Sequence, residues 1–152
     1  MPRVAVMIGS ESDRDVIKPC VDYLDHFGIA SDVKVLSAHR NPVESTEFAQ
    51  NAEKNGYDVI IAGAGMAAHL PGVVAAHTDL PVIGVPIDAS PLGGVDALYS
   101  IVQMPPGIPV GTVAIGKAGA KNAAVLAARI IALNDPDVKT KLENFREKGF
   151  KL

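Results

Sequence analysis

The chain has 152 residues, of which 48% are apolar, and its formal net charge at pH 7 is −3. This length and composition predict one folded domain with a substantial core and exclude an intrinsically disordered chain. The small negative charge provides no basic surface for nucleic acid or for an anionic membrane.

Cysteine content and hydropathy indicate the compartment. The single cysteine, Cys20, excludes an internal disulfide and suits a reducing environment. The segment 59–76 is apolar, but glycines, His69 and Pro71 interrupt it, which argues against a membrane-spanning helix. No secretory signal pattern starts at Met1. We therefore expect a cytoplasmic protein.

Short apolar runs rich in β-branched residues alternate with segments whose apolar residues recur at helical spacing. The runs predict strands, and the periodic segments predict helices. In chain order the predicted elements are strand 3–9, helix 16–27, strand 32–37, helix 42–55, strand 59–61, helix 66–77, strand 80–86, helix 95–102, strand 110–115, helix 118–133 and helix 135–148.

Particular residues are predicted to fix the helix ends. Gly28 and Gly56 are C-terminal stops, and Asn41 is a cap for the helix that follows it. Pro19 is expected in the first turns of its helix, where a missing N–H does least harm. Residues 134–136 (Asn-Asp-Pro) are expected to cap the last helix.

Alternating strands and helices predict a parallel sheet with right-handed crossovers. We predict a single α/β domain over residues 1–152, a three-layer α/β/α arrangement of the flavodoxin-like type. Ligands of such sheets bind at the carboxyl ends of the strands. The turns after the first, second and third strands are therefore the candidate functional segments.

The first of these turns is G-S-E-S-D, residues 9–13. Hydroxyls and free backbone N–H groups at a helix start can bind an anion. Plain helix capping by Ser10 or Ser12 explains the same residues. The carboxylate of Asp13 suits ribose hydroxyls better than a phosphate. The turn matches neither the Walker loop nor the dinucleotide fingerprint.

The second turn is S-A-H-R, residues 37–40. His39 beside Arg40 at a strand end can combine a proton-transfer group with a phosphate clamp. A solvated pair on a loop is the simpler alternative.

The third turn runs from Gly63 to Gly72. Its small residues let the backbone approach a ligand closely, and His69 is either a functional group or a hydrogen-bonded structural residue. Cys20 is predicted to face the core, which argues against a nucleophile. The spacing of His, Cys and carboxylate residues suggests no metal site.

Taken together, these segments resemble the PurE family of purine biosynthesis. The resemblance covers about residues 3–133 and rests on several motifs in a fixed order. They are G-S-E-S-D at 9–13, S-A-H-R at 37–40, A-G-A-G-M-A-A-H-L-P-G at 62–72, L-P-V-I-G-V-P at 80–86 and S-I-V-Q-M-P-P-G-I-P-V at 100–110.

The resemblance implies a reaction without metal, ATP or organic cofactor. In this family, N5-carboxyaminoimidazole ribonucleotide mutases move a carboxylate from the exocyclic N5 to C4 of the imidazole ring. His39 matches the catalytic histidine, which acts first as an acid and then as a base. The family is octameric, so a homo-octamer is also implied.

The same resemblance implies substrate contacts. Ser10, Asp13 and Arg40 match residues that bind the nucleotide. The chemistry of the side chains, taken by itself, assigns Arg40, Ser10 and Ser37 to the phosphate and Asp13 to the ribose. His69 and Leu70 would shape the carboxylate or CO2 pocket. The remaining pocket residues would be Ser12, Ala64 and Gly65.

Met66 departs from the family pattern as we know it, because bacterial mutases carry a glycine at the corresponding position. We hypothesise that Met66 adjusts the pocket without changing the reaction. A switch of the preferred carboxyl source in Met66→Gly would contradict this. Animal-type relatives, which carboxylate aminoimidazole ribonucleotide with CO2 directly, lack the A-H-L-P-G segment that this chain has at 68–72.

Other functions remain as alternatives. A direct carboxylase would share the fold, the ligand and His39, and would differ only in its carboxyl source. The related synthase of a pyridinium cofactor needs a reactive cysteine, and Cys20 is badly placed for that. A flavodoxin-like module that only holds a nucleotide would be indifferent to His39→Asn.

Overall fold

A computed structural model describes residues 1–152. Its five strands form one parallel sheet in the order β2-β1-β3-β4-β5. The strands are β1 (Arg3–Ile8), β2 (Ala30–Val35), β3 (Val59–Gly65), β4 (Val82–Ile87) and β5 (Gly111–Thr112). The helices are α1 (Arg14–His26), α2 (Pro42–Asn51), α3 (Leu70–Ala75), α4 (Val95–Val102), α5 (Lys117–Ile131) and α6 (Pro136–Glu147). A short 3-10 turn, Glu11–Asp13, precedes α1.

The two faces of the sheet bury two separate apolar layers. Alternate residues of β1 divide between them, as the strand period of two requires. One layer packs the sheet against α1, α5 and α6, and the other packs it against α2, α3 and α4. The predicted three-layer, flavodoxin-like architecture is confirmed, including the strand order typical of that fold.

The first layer is unusually rich in small residues. The face of α5 that lies against the sheet and α1 consists largely of buried alanines, so the helix axes can approach closely. Cys20 is fully buried in the same layer, and burial raises the pKa of its thiol to about 12. A thiol in that state is not a nucleophile at neutral pH.

None of the helices is long and apolar enough to span a bilayer.

A polar cluster ties the amino-terminal ends of the first three strands together. The Nε atom of Arg3 and the hydroxyl of Tyr57 both donate to Oδ2 of Asp32, at 2.8 and 2.9 Å. The Arg3 guanidinium also lies over the Tyr57 ring, 4.4 Å from its centroid. The Tyr57 hydrogen bond, and after it the Arg3 cation, lower the pKa of the Asp32 carboxyl.

Three predicted elements are shorter than expected, and the first is the second predicted helix, which was expected to reach about Asn55 and ends at Asn51. The helix predicted from Met66 begins only at Leu70, because Met66 adopts a left-handed backbone conformation that a helix cannot contain. The strand predicted over 110–115 pairs regularly only at Gly111–Thr112. This strand lies at the edge of the sheet and pairs with β4 alone, and a proline-rich segment precedes it. Few backbone hydrogen bonds are therefore available to extend the strand.

The predicted helix ends are partly correct. Gly28 follows the end of α1 with the expected positive φ, and Asp135 accepts hydrogen bonds from two N–H groups at the start of α6. Gly56 also has a positive φ, but it does not end α2, which stops at Asn51 and is followed by turns. Asn41 was expected to cap α2, but its side chain instead accepts from the N–H of Ser37 at 3.2 Å. Pro19 lies inside α1 beyond the first turn, where solvent can hydrate the carbonyl left unpaired.

Candidate active site

A cleft of about 520 Å³ lies at the carboxyl edge of the sheet, where the turns after β1, β2 and β3 meet. All ten residues that the sequence predicted for the site line it: Ser10, Ser12, Asp13, Ser37, His39, Arg40, Ala64, Gly65, His69 and Leu70. Five others complete the lining: Gly9, Ala38, Met66, Ala67 and Ala89. Ala89 was not assigned from the sequence, and its only signal is its position just after β4.

The turn after β1 supplies hydroxyl groups and a carboxyl group. Ser10 Oγ accepts from the backbone N–H of Ser12 at 3.3 Å and lies 2.9 Å from the Ser12 hydroxyl oxygen. Ser10 therefore caps the 3-10 turn, as the simpler interpretation required, while it also faces the cleft.

Asp13 is 8% exposed and belongs to the same cleft. Burial raises the pKa of its carboxyl, and a hydrogen bond with the Ser10 backbone opposes part of that effect. Burial of a carboxyl group costs free energy unless it forms hydrogen bonds, so hydrogen-bond donors on a ligand would offset this cost.

The turn after β2 is held together by Ser37. Its Oγ accepts from the N–H of His39 at 3.2 Å and from the N–H of Arg40 at 3.1 Å. The hydroxyl proton of Ser37 remains available to a ligand. Arg40 belongs to none of the ion pairs of the chain, so its exposed guanidinium can bind an anion at the cleft.

Two histidines from different turns meet in the cleft. Nε2 of His39 lies 2.5 Å from Nδ1 of His69, and the two rings are nearly perpendicular, with centroids 4.7 Å apart. One of these nitrogens must carry the shared hydrogen. The contact fixes the His39 ring and leaves its Nδ1 outside this hydrogen bond. The alternative that His69 makes a hydrogen bond is thus correct, but its partner is the other candidate histidine.

The end of β3 brings bare backbone to the cleft. The turn predicted to begin at Gly63 begins only after Gly65, because residues 63–65 pair with β4 and continue the strand. A Cβ atom on Gly65 would lie 3.2 Å from the Ala89 Cβ and 3.3 Å from the Ile87 carbonyl oxygen, so the strand end packs closely against β4. Leu70, the first residue of α3, is 2% exposed and contributes mainly by packing.

The carboxyl edge of this parallel α/β sheet thus brings together a cation, hydroxyl groups, a buried carboxyl group and a paired imidazole. Such a set of groups is able to bind a small anionic molecule and to move a proton on it. The chain matches the AIR carboxylase family over residues 3–151 and belongs to it. This confirms the resemblance to PurE inferred from the motifs.

Comparison with individual relatives supports membership of this family. The chain is 57% identical to the N5-carboxyaminoimidazole ribonucleotide mutase of Haemophilus influenzae, over 95% of this chain and 88% of that protein. It is 54% identical to the mutase of the same name from Escherichia coli K12, over 95% and 86% of the two chains. The crystal structure of Treponema denticola PurE is similar with a TM-score of 0.86 and 29% identity, over 98% of this chain and 92% of that one.

Proposed function

We propose that this chain is an N5-carboxyaminoimidazole ribonucleotide mutase, an isomerase that produces 4-carboxy-5-aminoimidazole ribonucleotide in purine biosynthesis. The observation that carries the proposal is the His39–His69 pair in the cleft where the three predicted turns converge. Relatives that are 52–57% identical over most of the chain carry the mutase name, which favours this activity over direct carboxylation.

His39 performs both proton transfers in this proposal. The bond between N5 and the carboxyl carbon breaks, its electron pair stays on N5, and N5 takes a proton from His39. The released CO2 is then attacked by C4, and the C4 proton returns to His39. No proton is gained or lost overall, and no external reagent is needed.

His69 has a positioning role in this scheme. Its contact with His39 Nε2 holds the ring that transfers the proton and selects the tautomer. A proton-transfer group held in one orientation avoids the entropy cost of ordering it in the transition state.

The other cleft residues bind the nucleotide. We propose that Arg40, Ser10 and Ser37 bind its phosphate and that Asp13 accepts from ribose hydroxyls, which offset the cost of burying the carboxylate. Ser12 and the backbone at Ala64 and Gly65 line the pocket. Leu70 forms an apolar wall beside His69.

We propose that the active species is a cytoplasmic homo-octamer of single-domain subunits, each formed by residues 1–152. The exposed apolar side chains of α4 support an assembly, since Val95, Tyr99 and Val102 are 43%, 64% and 47% exposed on one helix face. The partner surfaces are then other copies of this chain rather than nucleic acid or membrane.

A paired assay tests the activity. One sample of purified protein receives the N5-carboxy substrate, and another receives aminoimidazole ribonucleotide with bicarbonate. We expect rapid formation of the 4-carboxy product only in the first. Product formed faster in the second sample would identify a direct carboxylase, and product in neither would leave a nucleotide-binding module.

The variant His39→Asn separates catalysis from binding. We expect turnover to fall by about 10² to 10⁴, with substrate-analogue affinity changed little, because the lost group moves protons rather than holding the nucleotide. His26→Asn, at an exposed helix end far from the cleft lining, is the matched control. Full activity in His39→Asn would contradict the mechanism.

A further inference from the structure

Met66 has an unusual backbone for a cleft residue. Its φ is 54°, and apart from Phe150 near the end of the chain it is the only non-glycine residue with positive φ. L-residues avoid this left-handed region, and a side chain remains there only where the surrounding structure enforces it.

The neighbours on both sides of Met66 supply that enforcement. Gly65 is paired with Ile87 of β4, and a Cβ atom added to it would lie 3.2 Å from the Ala89 Cβ, so little free space remains beside the strand end. After Met66, the N–H of His69 donates to the Ala67 carbonyl at 2.9 Å, which closes a tight turn before α3. A glycine would fit this corner without strain, so the backbone conformation gives no reason for a methionine here.

Met66 also differs from the other cleft residues in its side chain. It is 57% exposed and lines the cleft. The other apolar lining residues are alanines and Leu70, and Leu70 is 2% exposed. Met66 is therefore the one long apolar side chain of the lining that is largely exposed, and methionine adapts its shape more readily than other apolar residues.

We propose that Met66 closes the cleft over the reacting carboxyl group and retains the CO2 released between the two proton transfers. This inference rests on the mutase activity proposed above. At that stage the carbon is bonded to neither N5 nor C4. CO2 is uncharged, so Arg40 and the hydroxyls hold it weakly, and its retention depends on a cover that excludes water and blocks escape.

Isotope exchange measures this retention. Unlabelled N5-carboxy substrate is supplied in a buffer with ¹³C-bicarbonate and carbonic anhydrase, and the ¹³C fraction of the 4-carboxy product is measured at initial rate. The matched variants are Met66→Ala and Met66→Leu. Both keep an L-residue in the left-handed corner, but only Leu keeps a long apolar side chain. Met66→Gly is the further variant, which fits the corner without strain if Met66→Ala does not fold.

We expect the labelled fraction to rise roughly tenfold in Met66→Ala and Met66→Gly, the scale of losing a few apolar contacts at a pocket wall. Met66→Leu should stay close to the wild type. Equal labelling in wild type, Ala and Gly would overturn the inference while leaving the activity intact. Absence of product from the wild-type protein would instead overturn the proposed function.

Discussion

At the scale of single residues, Asp13 lines the cleft, and burial of its charged carboxylate there destabilises the fold. Burial raises the pKa of its carboxyl, so the folded chain holds that proton more tightly than the unfolded chain does. The protonated form favours folding at low pH, and this contribution is lost as the pH rises through the raised pKa. A residue selected for stability alone would not be charged at this position.

We therefore expect Asp13→Asn to raise the free energy of unfolding at pH 7. The gain should shrink as the pH falls and vanish below about 3.9, the ordinary pKa of an aspartate. Urea unfolding at a series of pH values measures it, with the exposed Asp25→Asn as control. A gain that does not change between pH 3 and pH 7 would show that charge burial is not its source.

Sequence predicted the location of the cleft residues better than their contacts. The three turns could be placed at one cleft because the carboxyl ends of parallel strands share one sheet edge, and the resemblance to the PurE family selected the ten residues within them. The contact between His39 and His69 could not be predicted, since it depends on the relative heights of two turns that lie 30 residues apart. Met66 was expected to open a helix, because apolar periodicity carries no information on a single positive φ.

At the scale of elements, local signals worked where one residue decides the geometry. The cap at Asp135 and the stop at Gly28 depend on adjacent residues only. The cap at Asn41 failed because the N–H of Ser37, across the turn, competes for the same side-chain oxygen. The length of the fifth strand was overestimated, because it depends on pairing with β4 and this pairing cannot be inferred from the sequence of the strand itself.

The start of α5 offers a test of close packing. A Cβ atom on Gly119 would lie 1.6 Å from the Ala114 carbonyl oxygen, and no rotamer change relieves a clash with backbone. Alanine gains about 1 kcal/mol of helix propensity over glycine, but overpacking of this kind costs about 3 kcal/mol. We expect Gly119→Ala to lower the thermal unfolding midpoint.

The matched control is Gly111→Ala in β5, where the nearest atom to an added Cβ is the Val82 carbonyl oxygen at 3.7 Å. That change should alter stability by no more than about 0.5 kcal/mol. Equal midpoints for the two variants would mean that α5 can move away from residue 114 at little cost.

At the scale of the whole molecule, the exposed apolar face of α4 indicates how the proposed octamer can be disrupted. Tyr99→Asp places a charge on the apolar face formed with Val95 and Val102, so it should yield species smaller than an octamer in multi-angle light scattering. Asn122→Asp, an exposed position of α5, should leave the mass unchanged. An octameric Tyr99→Asp protein would exclude this face as an interface, and a monomeric wild type would exclude the octamer itself.

The cluster of Arg3, Asp32 and Tyr57 has a consequence for how such a chain can diverge. It ties three strands together at the end of the sheet opposite the cleft. Substitutions in the turns that line the cleft therefore do not alter the hydrogen bonds of this cluster. The residues that line the cleft can then change during evolution, and with them the substrate, while the three residues of the cluster still hold the strands in register.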